Sequence, residues 1–117
     1  MNKEDLKTFL TVAAVANACP DGFSIDAKTF QPVKRGYSVA VNDTQDSFGA
    51  VGLANVIKYV NEHPGINAFG GWYNSENGMF YFDAVIICDD KKTAENLGRA
   101  NKQIAIFDLN NLKEIRL

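Results

Sequence analysis

A run of aromatic and β-branched residues from Met79 to Asp89 predicts a long β-strand in the second half of this 117-residue chain. It follows the polar segment Asn74–Gly78, in which Asn77 and Gly78 tolerate the positive φ angles of a tight turn. The segment before the turn, from Ile66 to Trp72 or Tyr73, also has the composition of a strand. These three segments together predict an antiparallel hairpin.

Further elements flank the hairpin in a regular order. A period-two alternation after Gly36 predicts a strand in which Tyr37, Val39 and Val41 point one way. The next helix is predicted to begin near Phe48, to be capped by Asp46 or Ser47, and to carry Val51, Ala54, Ile57 and Asn61 along one face, with Leu53, Val56 and Val60 widening it. After the hairpin we expect a helix over 91–102, a strand over 103–108 and a short strand over 113–117.

The order from residue 36 onward is strand, helix, strand, strand, helix, strand, which is the order of the ferredoxin-like split βαβ motif. We therefore predict an α+β fold, with an antiparallel sheet and helices on one face. A single domain over 1–117 is expected, with this core at 36–117. Before this core, the alternation of Phe23 and Ile25 favours an additional edge strand.

The first 22 residues are predicted to add an N-terminal helix, over about Asp5–Asn17. A secretory signal is the alternative, because Phe9–Ala18 is largely apolar and Ala16-Asn17-Ala18 resembles a cleavage site. Glu4 and Asp5 remove the positive bias that such signals carry. With no apolar run of transmembrane length and only two cysteines, we expect a cytoplasmic protein without a membrane span.

The long strand has two unlike faces. The residues of one face are all apolar and suit the helices: Phe80, Phe82, Ala84, Ile86 and Cys88. The opposite face mixes aliphatic residues with a tyrosine and carboxylates: Met79, Tyr81, Asp83, Val85, Ile87 and Asp89. Such a mixed face is expected to be covered by another segment or to form a binding surface. The N-terminal helix and a second copy of the chain are the candidates to cover it.

Charge is unevenly distributed along the chain, whose net charge is −2. Residues 36–90 contain one basic and seven acidic side chains, whereas residues 91–117 contain six basic and three acidic ones. The aromatic side chains around the hairpin suggest RNA recognition by base stacking, but an acidic surface repels phosphates and the sequence motif of that domain is missing. Direct phosphate contact is therefore disfavoured, and the acidic centre favours a basic partner.

Residues that could carry catalysis are few. His63 is the sole histidine and stands where it can cap the end of a helix, and Cys88 is expected to be an inert core thiol. The segment Ser47–Gly52 puts two glycines at a helix start but lacks the lysine of a phosphate-binding loop. No calcium-loop or His/Cys spacing is present, so neither a metal nor a cofactor is predicted.

Several stretches resemble a group of small bacterial proteins of no known activity that are met in gut bacteria, in their phages and in conjugative elements. They are Gly36–Val41, Thr44–Gly49, Gly70–Tyr73 with Tyr81–Asp83, and Gln103–Leu109. The resemblance spans about residues 23–117. It implies a cytoplasmic accessory protein of bacterial or mobile-element origin, and it implies no catalytic residues.

The leading functional hypothesis is a non-enzymatic module that binds a protein partner, or itself, through the open face of the sheet. Trp72, Tyr73, Tyr81 and Asp83 are the predicted binding residues, because interface centres combine aromatic anchors with a charge. Trp72 and Tyr73 are adjacent in a strand, so one of them is expected in the core. A nucleic-acid-associated accessory protein, or an acidic mimic that binds a DNA-binding protein, is the second hypothesis, and a small-molecule enzyme is the third.

Overall fold

In a computed structural model, residues 1–117 form three α-helices, seven β-strands and one 3-10 turn. The helices are α1 (Lys3–Ala18), α2 (Gly49–Glu62) and α3 (Lys91–Ala100). The strands are β1 (Phe23–Asp26), β2 (Tyr37–Ala40), β3 (Ser47–Phe48), β4 (Ala68–Asn74), β5 (Met79–Cys88), β6 (Ala105–Asp108) and β7 (Lys113–Arg116). The 3-10 turn, Asn42–Thr44, lies between β2 and β3.

All strands belong to one antiparallel sheet in the order β1-β4-β5-β2-β6-β7, and the two-residue β3 pairs with β5. The α+β class and the hairpin of β4 and β5 are thus confirmed. The predicted ferredoxin-like arrangement is not confirmed, because the observed sheet has seven strands. β1 is the strand anticipated from the alternation of Phe23 and Ile25.

The three helices pack on one face of the sheet. Residues directly opposite each other in antiparallel strands share a face, and Phe69 lies opposite Ala84 while Val39 lies opposite Ile86. This face carries a core formed with α1 and α2, and a smaller one in which Ala94 of α3 contacts Val39 and Ile106. The apolar face predicted for the long strand is therefore the one that meets the helices.

The predicted apolar face of α2 is confirmed at Leu53, Val56 and Ile57 and is wrong at Val51 and Asn61, which are exposed. Val51 is 84% exposed, and the buried positions of the helix are Gly52, Leu53, Val56 and Ile57. The predicted caps are also wrong, since the N-cap position is Phe48, which makes no side-chain cap bond. Ser47 is instead buried in β3, where its Oγ accepts a hydrogen bond of 3.4 Å from Asn55 Nδ2. Pairing of β3 with β5 sets where α2 starts.

α1 is an integral part of the core. Its first turn is capped by Asn2, whose side chain accepts a 2.7 Å hydrogen bond from the Asp5 backbone N–H. Val12 and Ala16 are buried in the cluster that also holds residues of α2, β4 and β5. α1 therefore does not cover the opposite, mixed face of the sheet. A cover by this helix was one of the two alternatives predicted for that face. None of the helices is long and apolar enough to cross a membrane.

Thr44 connects the 3-10 turn to β5 from a fully buried position. Its hydroxyl accepts a 3.0 Å hydrogen bond from the Ala84 backbone N–H and donates one of 3.3 Å to the Val41 carbonyl. These two bonds satisfy polar groups of the backbone at a point where β2 has ended and β3 has not begun. They hold the segment between β2 and β3 against β5.

Thr44→Val should lower the free energy of unfolding by about 2 kcal/mol, because the isosteric methyl leaves a buried N–H without an acceptor. Thr44→Ser, which keeps the hydroxyl and loses one buried methyl group, should cost only about 1 kcal/mol. Urea unfolding measures both, and hydrogen exchange at the Ala84 amide should accelerate in the valine variant alone. A valine variant as stable as the serine variant would contradict this role of the hydroxyl.

Candidate functional site

The face of the sheet opposite the helices has no helix packed on it. Strand register assigns side chains to this open face, since Trp72 lies opposite Tyr81, and Gly70 lies opposite Asp83. By the same criterion the open face also contains these side chains: Ser24, Ser38, Ala40, Phe48, Val85, Ala105, Phe107, Glu114 and Arg116. The mixed face predicted for the long strand is thus one that no element of secondary structure covers.

Three aromatic rings form a row across the open face, which we call the aromatic ladder: Phe48, Tyr81 and Trp72. The Trp72 and Tyr81 rings are stacked, with centroids 5.0 Å apart and planes inclined by 19°. The Phe48 ring lies 5.5 Å from the Tyr81 ring on the other side. The ladder exposes much of its surface, because Phe48 and Trp72 are each 45% exposed.

The ladder is held by local structure in the hairpin. Asn77 lies in the turn between β4 and β5, and its Nδ2 donates a 2.7 Å hydrogen bond to the Tyr81 hydroxyl. The same side chain accepts a 3.0 Å hydrogen bond from the Met79 backbone N–H. The tyrosine ring is therefore fixed between its two aromatic neighbours, which is the preorganisation that a binding surface requires.

Three of the four predicted binding residues come together and one does not. Trp72, Tyr81 and Asp83 share the open face, whereas Tyr73 lies opposite Phe80 and points to the side of the helices. The expectation that one of Trp72 and Tyr73 is in the core is wrong, because Tyr73 is 48% exposed near the end of β4. Phe48 was not predicted, since a two-residue strand leaves no periodic signal in the sequence.

A groove of about 720 Å³ runs over the open face beside the ladder. Small or aliphatic side chains form its floor, among them Ala40, Gly70 and Val85. Trp72, Phe107 and Leu112 line it as well, and all three are substantially exposed. Pro32 and Val33, from the connection between β1 and β2, line another part of it. The groove has the size range and the apolar lining of ligand sites in proteins.

Asp83 places a carboxylate in this groove. Burial and the nearby charge of Asp46 raise its pKa to about 6, and burial is the larger cause. Neither a hydrogen-bond donor nor a cation of the chain offsets these two effects. The one ion pair of the chain joins Glu114 to Arg116 at 3.6 Å on β7, between highly exposed side chains. A half-buried carboxylate with no partner from its own chain is thus the most unusual polar group of the groove.

Other candidate residues have ordinary surroundings. His63 is the C-cap of α2, as anticipated, and its ring stacks on Tyr59 at 3.8 Å while Nδ1 lies 2.8 Å from the Tyr59 carbonyl. Burial, followed by Asp89 and Asp90, raises the pKa of the Cys88 thiol, which opposes formation of the thiolate. No cluster of three or more His, Cys, Asp and Glu side chains has a geometry that could hold a metal ion.

Comparisons with protein-family models, with curated proteins and with solved structures find no match for this chain. Function is therefore inferred from the open face itself. Its distinctive features are the exposed aromatic ladder, the groove beside it and the partnerless Asp83 carboxylate.

Proposed function

We propose that this chain is a non-enzymatic binding module that recognises a protein partner through the open face of its sheet. The observation that carries the proposal is the aromatic ladder, a preorganised row of three rings that lies exposed beside an apolar groove. Aromatic side chains at the centre of a surface, next to a groove, are typical of the residues that dominate binding energy in protein interfaces.

A fold type, a location and a biological setting are proposed together with this function. The inner strand order β4-β5-β2-β6, with α2 and α3 in the connections, supports a ferredoxin-like core to which outer strands have been added. Two free cysteines suit a reducing compartment, so the module is proposed to act in the cytoplasm. An accessory role in a bacterium or a mobile element agrees with the resemblance noted in the sequence.

A second candidate function is an accessory role with nucleic acid, and a separate observation favours it. Arg99, Lys102 and Arg116 border a depression of about 680 Å³ on another part of the surface, together with Ile104 and Leu117. Three cations in one depression suit contact with phosphates. The depression and the groove are distinguishable by mutation, because they have no lining residue in common.

Trp72→Ala should abolish capture of the partner, whereas Tyr73→Ala should leave capture intact. The two side chains are adjacent in β4 and similarly exposed, but only Trp72 belongs to the aromatic ladder. Tagged wild type and variants are incubated with nuclease-treated lysate of the native host, and the bound proteins are compared by mass spectrometry. Circular dichroism and thermal unfolding check that each variant folds, and light scattering shows whether the partner is a second copy of the chain.

Capture that is equal for wild type and Trp72→Ala would contradict the proposed use of the open face. Retention on DNA or RNA that disappears at high salt, and that Arg99→Ala with Lys102→Ala removes, would favour the second function instead.

A further inference from the structure

The groove is lined by charges of one sign. Asp21, Asp83 and Glu114 are among its lining residues, and no lysine, arginine or histidine is, although Glu114 is paired with Arg116 just outside the lining. Asp46 adds a further negative charge close enough to Asp83 to raise the pKa of that carboxyl. Apolar walls with low polarisability focus the field of such charges into the groove. An occupant that matches this surface must present a positive charge together with apolar groups.

Asp83 and Trp72 both line the groove. Asp83 lies opposite Gly70 in the register, and Gly70 immediately precedes Gly71 and Trp72 along β4. A Cβ at position 70 would lie 2.9 Å from Val85 Cγ2 and 3.9 Å from Asp83 Cβ, so the chain is closely packed at this position. Trp72 and Asp83 are diagonal neighbours in the register, so one side chain of an occupant can contact both.

The pairing of a flat ring with a carboxylate distinguishes between the two common cations of proteins. A guanidinium group is planar, stacks on aromatic faces and donates two parallel hydrogen bonds to a carboxylate. An ammonium group is compact and more strongly hydrated, so it loses more on entering a half-buried, apolar groove. Stacking on tryptophan and pairing with a desolvated carboxylate therefore both favour arginine over lysine.

Resting on the function proposed above, we propose that the groove binds an arginine-bearing segment of a protein partner, with the guanidinium stacked on Trp72 and paired with the Asp83 carboxylate. Apolar side chains next to that arginine lie along Phe107 and Leu112, which line the same groove and are exposed. The groove volume of about 720 Å³ suits a segment of a few residues. The acidic lining then selects against acidic segments.

The fluorescence of Trp72 measures binding directly, because it is the only tryptophan of the chain. The full chain is titrated with three short peptides of Leu and Gly that differ at two positions, which carry arginine, lysine or the neutral isostere citrulline. The arginine peptide should produce a saturable change in Trp72 emission. The lysine peptide should bind more weakly, and the citrulline peptide should bind at least about 10-fold more weakly, as expected for loss of a charge-assisted hydrogen bond.

Asp83→Asn should weaken the arginine peptide by about 10-fold or more, by the same charge-assisted contribution. Glu76→Gln is the matched control, because Glu76 is an exposed carboxylate in the hairpin turn and does not line the groove. Its affinity for the peptide should equal that of the wild type.

Equal binding of the arginine and citrulline peptides, an unchanged affinity of Asp83→Asn, or no binding of any peptide would overturn the assignment of arginine. None of these results would contradict the proposed function, which fails only if partner capture is independent of Trp72. An RNA oligonucleotide that alters Trp72 emission when the arginine peptide does not would also overturn the assignment.

Discussion

Asp83→Asn should raise the free energy of unfolding at pH 8 by about 2–3 kcal/mol. The pKa of this carboxyl is raised from 3.8 to about 6 in the folded chain, chiefly by burial and then by the charge of Asp46. A rise of this size corresponds to about 3 kcal/mol of unfavourable free energy for the ionised form, and residual solvation of a half-buried group reduces that figure. The neutral amide avoids this cost. Urea unfolding of wild type and variant at pH 8 measures the difference.

The same substitution has a characteristic pH dependence. The folded chain holds the Asp83 proton more tightly than the unfolded chain, so this group favours the folded state most at low pH and loses that contribution as the pH rises from about 4 to about 6. The gain in stability of Asp83→Asn over wild type should therefore be small at pH 4 and complete above pH 7. A gain that does not change with pH would show that Asp83 ionises as it does in the unfolded chain.

The effect of three other carboxyl groups on stability has the opposite dependence on pH, and it occurs at lower pH. Hydrogen bonds from nearby backbone and side-chain groups lower the pKa of Asp26, Asp90 and Asp108. Their contributions to stability are present above the unfolded pKa and are lost as the pH falls below it. Because these groups are the same in both proteins, the difference between wild type and Asp83→Asn isolates Asp83.

A carboxylate that destabilises its own fold is informative about function. Natural chains keep such groups where activity requires them, at the expense of stability. Asp83→Asn is therefore expected to be more stable than wild type and yet weaker in binding the arginine peptide. Opposite signs for the two effects distinguish a binding group from one that only supports the fold.

The hairpin could be predicted from the sequence because its information is local. Asn77 and Gly78 specify a turn, and the alternation over Met79–Cys88 assigns each side chain of β5 to a face. The same alternation placed Tyr81 and Asp83 together on the open face, as the register shows. The pleat of β4 likewise separated Trp72 from Tyr73. The exposure of Tyr73 was not predictable, because it depends on how far the helices extend over the sheet.

The features that could not be predicted depend on contacts between distant segments. β3 has only two residues, and it exists because Ser47 and Phe48 pair with Phe82 and Tyr81 of β5. That pairing places Ser47 in a strand, so Ser47 does not cap α2 as its position in the sequence suggests. The groove is likewise non-local, because Pro32, Trp72 and Phe107 lie on separate segments that only the sheet order brings together.

Gly52→Ala should lower the free energy of unfolding by about 2–3 kcal/mol, although alanine is the better helix former. A Cβ at position 52 would lie 2.4 Å from the Ser47 carbonyl carbon and 3.1 Å from Ser47 Cα, so α2 would have to move away from β3. Gly65→Ala is the control, because nothing lies within 4 Å of a Cβ there, and it should be neutral or slightly stabilising. Movement of β3 would also carry Phe48 away from Tyr81, so the Gly52→Ala protein should lose partner capture along with stability. Urea unfolding and capture assays of both variants measure these effects. A Gly52→Ala protein as stable as Gly65→Ala would mean that the first turn of α2 does not hold the aromatic ladder in place.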